Sequence, residues 1–417
     1  MKNFLKININ NTFFALILLL LISVSTFELH YLLYFLVIVI FYSKISKDLL
    51  NVAFLLTIIL FSAILSSFFN DFKAYDWIKD FTYFSRPLLA VFAGYFISKK
   101  INNFVIILRS IVVVSLIYAI YHISKVLILI DFSIASVSDI RNIGGLSNEI
   151  EILALIILIS ENRLKNVVVF ENKFYKKIVV FILSTSFVLY ASRTMLLSLI
   201  IFYLASFGYL KLTRKSLKYG MVLLTFFILF YVYLFNANIQ RGKSGIESFL
   251  YKMKIAPAEI FSPSKSINVK DHAQLWDHWR AYEATMALSQ INSTTDVFLG
   301  KGLGGLVDLK FAAPLGEKNM RYIPTLHNGY VNILFKSGAI GLLSFIALLV
   351  LLYLFCYKKE KKPNKLFFYN LLSGLSVHFL MTTLIVTGLY NITEPYVFIM
   401  GVFLFFIISK ENKLLLK

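Results

Sequence analysis

Long apolar runs alternate with short polar breaks along this chain, and only one polar interval is long. As a helix, a run of about 20 apolar residues crosses a hydrocarbon core of about 30 Å. On that scale the pattern predicts twelve membrane-spanning helices, at 12–28, 29–43, 49–69, 81–98, 103–130, 148–160, 177–191, 194–210, 219–236, 328–355, 366–389 and 394–409. The second and sixth are short, and their boundaries are the least defined. The long polar interval, 237–326, separates the ninth span from the tenth. Three regions follow: a transmembrane bundle over 1–236, an extramembrane loop over 237–326, and a second membrane region over 327–417.

Composition makes the membrane assignment firm. With 59% hydrophobic residues and a mean hydropathy of +0.76, the chain cannot cover a soluble core with polar surface. The expected fold class is an all-α integral membrane protein. Lys and Arg outnumber Asp and Glu by 42 to 22, so a net charge of +20 must sit in the few non-membrane segments. Such an excess suits anionic headgroups or a phosphate-bearing substrate, and topology alone would also produce it. With the N-terminus inside, the inner segments Lys2/Lys6, Lys44/Lys47, Lys99/Lys100, Arg163 to Lys177, Lys211 to Lys218, Lys358 to Lys365 and Lys410 to Lys417 carry 23 of the 42 basic residues. The short outer turns carry only Lys73, Lys79, Arg141 and Arg193. The positive-inside rule therefore predicts cytoplasmic termini and an external 237–326 loop. Met1 to Thr26 has the form of a signal peptide, although an uncleaved first span fits as well and is the preferred reading. A single cysteine, Cys356, excludes an intramolecular disulfide and a cysteine-based metal framework.

Within the loop, Asn238 to Lys270 contains Gly242, Gly245, Pro257 and Pro263 and predicts irregular chain with a short helix over 246–254. Asp271 is a plausible N-cap for one helix running to Ser289, with Leu275, Trp279, Tyr282 and Met286 on a single face. A glycine-rich turn follows, Leu299-Gly300-Lys301-Gly302-Leu303-Gly304-Gly305, which permits close backbone approach. No strand is expected ahead of it, so it makes a poor nucleotide-binding turn.

Candidate chemistry gathers where this loop meets the membrane. His327 and Asn328 stand at the mouth of the tenth span. A histidine exchanges a proton near neutral pH, its unperturbed pKa being about 6.5; an interfacial anchor is the competing reading. Arg193, in Ser192-Arg193-Thr194, occupies a tight outer hairpin against the charge trend. Its planar fork of donors suits a lipid diphosphate, as it also suits ordinary headgroups. Arg280 lies on the loop helix, while Arg86 and Arg141 near the outer surface could add to a basic cavity. Lys336, about 13 Å below His327 at 1.5 Å rise per residue, needs a partner at that depth, and Glu149, Glu151 or Glu394 is the expected one. Gly338 and Gly341 have the spacing of a small-residue helix contact. His122 and His378 are expected to be buried packing residues, and His272, Asp277 and His278 lack the spacing of a metal site.

His327-Asn328, nine residues, then Gly338-Ala339-Ile340-Gly341-Leu342 resembles, without a gap, the signature of the O-antigen ligase and polymerase family. The Ser-Arg-Thr step at Arg193 and the order Arg280 then Gly300-Lys301-Gly302-Leu303-Gly304 are similar to two further family segments. The resemblance implies a C-type glycosyltransferase-like architecture with about twelve transmembrane helices and one long periplasmic loop, in the bacterial inner membrane. It implies an inverting transfer of a glycan from undecaprenyl diphosphate to an acceptor hydroxyl, with no metal, no cofactor and no nucleic acid involved. His327 would serve as base, Arg193 and Arg280 would hold the diphosphate with Arg86, Arg141 and Asn328 nearby, and Gly338 and Gly341 would be structural. A ligase with a lipid A-core acceptor is favoured over a polymerase with a lipid-linked acceptor. A transporter or flippase of lipid-linked glycans is the reading from another class, disfavoured because the suspect residues cluster at the outer surface instead of the midplane.

Overall fold

The computed structural model describes residues 27–131, 148–165, 167–190, 192–242, 246–261, 271–315, 318–391 and 395–409, with 15, 19, 140 and 143. The first apolar stretch, 12–28, falls almost wholly outside these, as do Arg141 and Glu394. From 29–43 onward a helix coincides with each of the remaining eleven stretches. They are α1 Phe27–Phe41, α2 Lys47–Ser67, α3 Ala74–Ile101, α4 Phe104–Leu129, α5 Asn148–Ser160, α6 Lys173–Tyr190, α7 Arg193–Ser206 and α8 Arg214–Asn236. After the loop come α13 Gly329–Tyr353, α14 Pro363–Ile385 and α15 Tyr396–Phe406. By length and apolarity, 5 of the described helices can cross a membrane unaided, a smaller number than the hydropathy pattern alone predicts.

Polar residues at the breaks start the helices. Ser46 accepts the Leu49 N–H at 3.2 Å, Asn103 accepts the Val105 N–H at 3.0 Å, and Thr213 forms a reciprocal cap with Ser216 at the head of α8. Each satisfies amides that no earlier turn can reach. In the bundle, α3 packs on α1 and α15, α13 on α2 and α14, α4 on α5 and α6, and α7 on α5 and α14. Helix α8 differs, since Leu234 is its only buried residue and its apolar sides face outward.

The loop is more structured than its sequence suggests. It holds α9 Ile246–Phe261, α10 His272–Asp277, α11 Trp279–Ser289, α12 Thr294–Leu299 and a hairpin of β1 Val307–Leu315 with β2 Lys318–Ile323. The protein is otherwise mostly helical, as an all-α membrane fold requires, and the antiparallel hairpin is a local addition, with Val307 opposite Ile323 and Leu315 opposite Lys318. The helix expected over 246–254 runs on to Phe261, carrying Pro257 within it. The single helix expected over 271–289 is two, broken at His278, whose φ of −117° and ψ of 5° leave the helical region.

A break inside α13 ties loop to bundle. Gly338 has φ 64°, outside the range a side chain tolerates, and the helix's hydrogen bonding is interrupted there. Carbonyls that lose helical partners find others: Phe335 O accepts the Lys301 N–H at 2.6 Å, Lys336 O the Gly302 N–H at 3.1 Å, and Ser337 O the Ser62 hydroxyl at 2.7 Å. The glycine-rich turn is thus the clamp that closes the broken helix. A Cβ on Gly338 would lie 2.2 Å from the Phe298 carbonyl oxygen, so the small-residue contact expected here is made with loop backbone. Lys336, fully buried, pairs with Asp80 on α3 and donates to Gly305 O, while Asp80 also accepts the Gly304 N–H at 2.7 Å. This corrects the expected pairing with Glu149, Glu151 or Glu394. Because the turn draws α3 toward the break, the carboxylate nearest to Lys336 comes from the first turns of α3.

Candidate active site

The loop has its own small core, and that core sets the site. Leu275, Trp279, Tyr282 and Met286 from the two loop helices pack with Val307, Leu309, Ala313 and Ile323 of the hairpin, and with Leu326 and Phe335 at the membrane side. The Tyr282 hydroxyl donates to Leu309 O at 2.6 Å, and Gln290 exchanges two 3.0 Å hydrogen bonds with the Asp308 backbone. Helix α11 is thereby fixed against both β1 and the entry to α13.

Glu283 follows Tyr282 on the same helix and is drawn inside with it, at 2% exposure. One of its oxygens, Oε2, accepts the backbone N–H of His327 at 3.1 Å and also meets His327 Nδ1 at 2.8 Å. An ionised carboxylate can only accept, so the tautomer that suits this contact has its hydrogen on Nδ1 and leaves Nε2 as the free ring nitrogen. The His327 ring is otherwise accessible, its side chain 46% exposed. Asn328 next to it caps α13, taking the Val331 N–H at 3.2 Å.

Arg280, one turn before Glu283, donates to Glu259 Oε1 at 2.8 Å. Arg193, at the first position of α7, approaches Glu259 Oε2 at 3.5 Å and donates to the Lys252 carbonyl. Two guanidinium groups from distant parts of the chain therefore converge on one carboxylate of α9. Beside them Tyr251 donates to Asp277 at 2.8 Å, and burial together with that carboxylate pushes its phenol up. Asp277 also faces Arg241 at 3.6 Å. Glu259, Trp276, Trp279, Arg280, Leu315 and His327 enclose a pocket of about 320 Å³.

Of the candidates from sequence, His327 and Arg280 share this pocket, and Arg193 joins them through Glu259. Arg86 does not: it is buried on α3 and donates to Asn391 O, away from the lining. His122 and His378 are buried and bonded to Ser186 at 2.8 Å and Ser198 at 2.9 Å, packing residues as their isolation implies. Glu259, Glu283 and Trp276 were not singled out by the sequence reading. For Glu283 a signal exists, since a carboxylate three residues after Arg280 falls on the same helix side as Trp279 and Met286, a charge on an otherwise apolar face. Nothing comparable marks Glu259, which reaches the site only because α9 extends past Pro257.

No curated protein matches the chain. Residues 178–346 match the family model described as O-antigen ligase, a stretch that runs from α6 through the whole loop and into α13. That stretch contains Arg193, Glu259, Arg280, Glu283, His327 and the Gly338 break, so over it the chain is similar to the O-antigen ligase family.

Proposed function

We propose that the protein is a membrane glycosyltransferase that moves a glycan from undecaprenyl diphosphate to an acceptor hydroxyl on the periplasmic side of the inner membrane. The observation that supports this most is the pairing, in one pocket, of a histidine oriented by a buried carboxylate with an arginine from a two-arginine cluster. The acceptor O–H attacks the anomeric carbon and gives its proton to His327 Nε2. As the new C–O bond forms, the bond from that carbon to the diphosphate oxygen breaks, and the electron pair leaves with the carrier. Arg193 and Arg280 take up the charge that grows on the leaving group, which needs no proton of its own. Backside attack inverts the anomeric centre. Glu259 holds the place of the anion between the two arginines, and an arriving diphosphate displaces it.

Between family activities, a ligase with a lipid A-core acceptor is the reading we favour, on the His-Asn signature and the strongly basic charge. A polymerase that extends lipid-linked repeats is the alternative. Two measurements test the proposal. His327→Ala in purified protein should lose transfer by about 10²–10⁴-fold, the worth of general-base catalysis, while still binding the lipid-linked donor; transfer at the wild-type rate removes the reading. Deleting the gene then separates the two activities. Long glycan accumulating on the carrier marks a ligase, and single repeats capped on the acceptor mark a polymerase.

A further inference from the structure

The pocket's charged ends do not account for its walls. Trp276 and Trp279 form one side, their rings 5.7 Å apart and inclined at 51°, and Leu315 at the end of β1 closes another. Trp279 belongs to the loop core, edge-on to Phe311 at 6.4 Å, whereas Trp276 is only partly buried and packs against the margin of that core. The Trp279 indole N–H is buried and has no hydrogen-bond partner among the described residues. In a native interior such a donor normally finds an acceptor. Aromatic walls with a few charged groups at the ends match a ligand with an apolar face and a hydroxylated rim. A sugar ring has that form: its axial C–H groups rest on an indole face, where the π-cloud is negative, while equatorial hydroxyls reach the polar groups around it. At about 320 Å³ the pocket sits at the small end of ligand sites, with room for one sugar residue and not a chain of them.

We propose that Trp276 and Trp279 seat the first sugar of the donor, the ring joined to the diphosphate, and that Trp276 supplies its stacking face. This rests on the transferase reading. If the diphosphate lies at Arg280 and the attacking hydroxyl at His327, the anomeric carbon lies between them, and its ring meets the wall those residues share. The seat also offers selectivity at the one sugar that every transferred glycan must present, whatever the length of the glycan beyond it.

The test uses purified full-length protein in lipid nanodiscs, with a short-chain polyprenyl diphosphate carrying one hexose and the same diphosphate without sugar. Trp276→Ala should raise the donor KM about tenfold, the scale of one lost aromatic face, with kcat and acceptor KM nearly unchanged. Trp276→Tyr should recover most of the loss. Because Trp77 is the only other tryptophan, indole emission reports the site directly; it should respond to the sugar-bearing diphosphate, not the bare one, and the response should shrink in Trp276→Ala. Active enzyme whose donor KM ignores Trp276→Ala, or a shift in acceptor KM instead, overturns the seat and leaves the transferase reading standing. Sugar-dependent emission in a protein that transfers nothing does the reverse.

Discussion

A histidine whose Nδ1–H is held by a buried carboxylate has one ring nitrogen committed and the other available to take a proton. Here the same Glu283 oxygen also binds the His327 amide, so ring and backbone are fixed together. Such a carboxylate selects the tautomer, and it stabilises the imidazolium that forms when a proton arrives. Glu283→Gln keeps the shape and removes the charge. We expect kcat to fall by about ten- to a hundredfold, part of what general-base catalysis contributes, with donor KM little changed. Steady-state kinetics on the purified variant decide the point: an unaltered kcat would show that Glu283 only fills space. Donor KM separates the roles further, since in the proposed mechanism Arg193 and Arg280 meet the leaving group and Glu283 does not.

At the scale of elements, the hairpin and the broken helix show where sequence patterns reach their limit. The helices of the bundle were legible because a lipid-facing run and its polar cap are both local signals, as at Ser46 and Asn103. His327 and Arg280 were legible as chemistry for a similar reason, standing in short motifs. The hairpin was not. Val307-Asp308-Leu309-Lys310 begins with strand alternation, but Lys310 turns to φ 66°, the register shifts before Ala313, and Pro314 argues against a strand. A two-stranded sheet has only edges, so Pro314 is tolerated. The partner of Lys336 leaves no local sign, because Asp80 is 256 residues away and comes within reach only through the glycine clamp. The hairpin's strands are joined by a cross-strand ion pair: Asp308 accepts from Arg321 at 2.8 and 3.0 Å, and on its own strand from Lys310 at 3.2 Å. The Arg321 fork holds the Asp308 carboxyl well below the usual carboxylate range. A depressed folded value means that this stabilisation is complete above the unfolded pKa of about 3.9 and is lost as pH falls toward the folded value. Amide protection over 307–323, corrected for the intrinsic exchange rate at each pH, should therefore hold from neutral pH to about pH 4 and fall below it. Asp308→Asn should exchange faster at neutral pH and lose that acid step; identical protection in the variant would place the hairpin's stability elsewhere.

For the whole molecule, the contacts sort the polar segments to two ends. Lys99 donates to Lys44 O at 2.6 Å, Lys165 and Asn364 exchange hydrogen bonds, Arg163 lies 3.6 Å over the Phe207 ring, and the Leu212 N–H reaches the Tyr357 hydroxyl at 3.0 Å. Each links segments that the charge pattern assigns to the inner side. The loop is held at the other end, by Ser67 with Leu303, Asp80 with Gly304 and Arg193 with Lys252. Most basic residues of the short connecting segments thus lie at one end and the pocket at the other, so the positive-inside rule predicts a single orientation with the pocket outside. Cysteine labelling can test this with little background, since the only native cysteine, Cys356, is buried. Thr295 is exposed on α12 of the loop, and Lys359 is exposed beyond the end of α13. In right-side-out membranes an impermeant maleimide should label Thr295→Cys at once and Lys359→Cys only after the membrane is opened. Both variants should remain active, because neither residue lines the pocket. The opposite labelling order would put His327 and the arginines in the cytoplasm, on the side away from the finished lipid-linked glycan, and the transferase reading would fail with it.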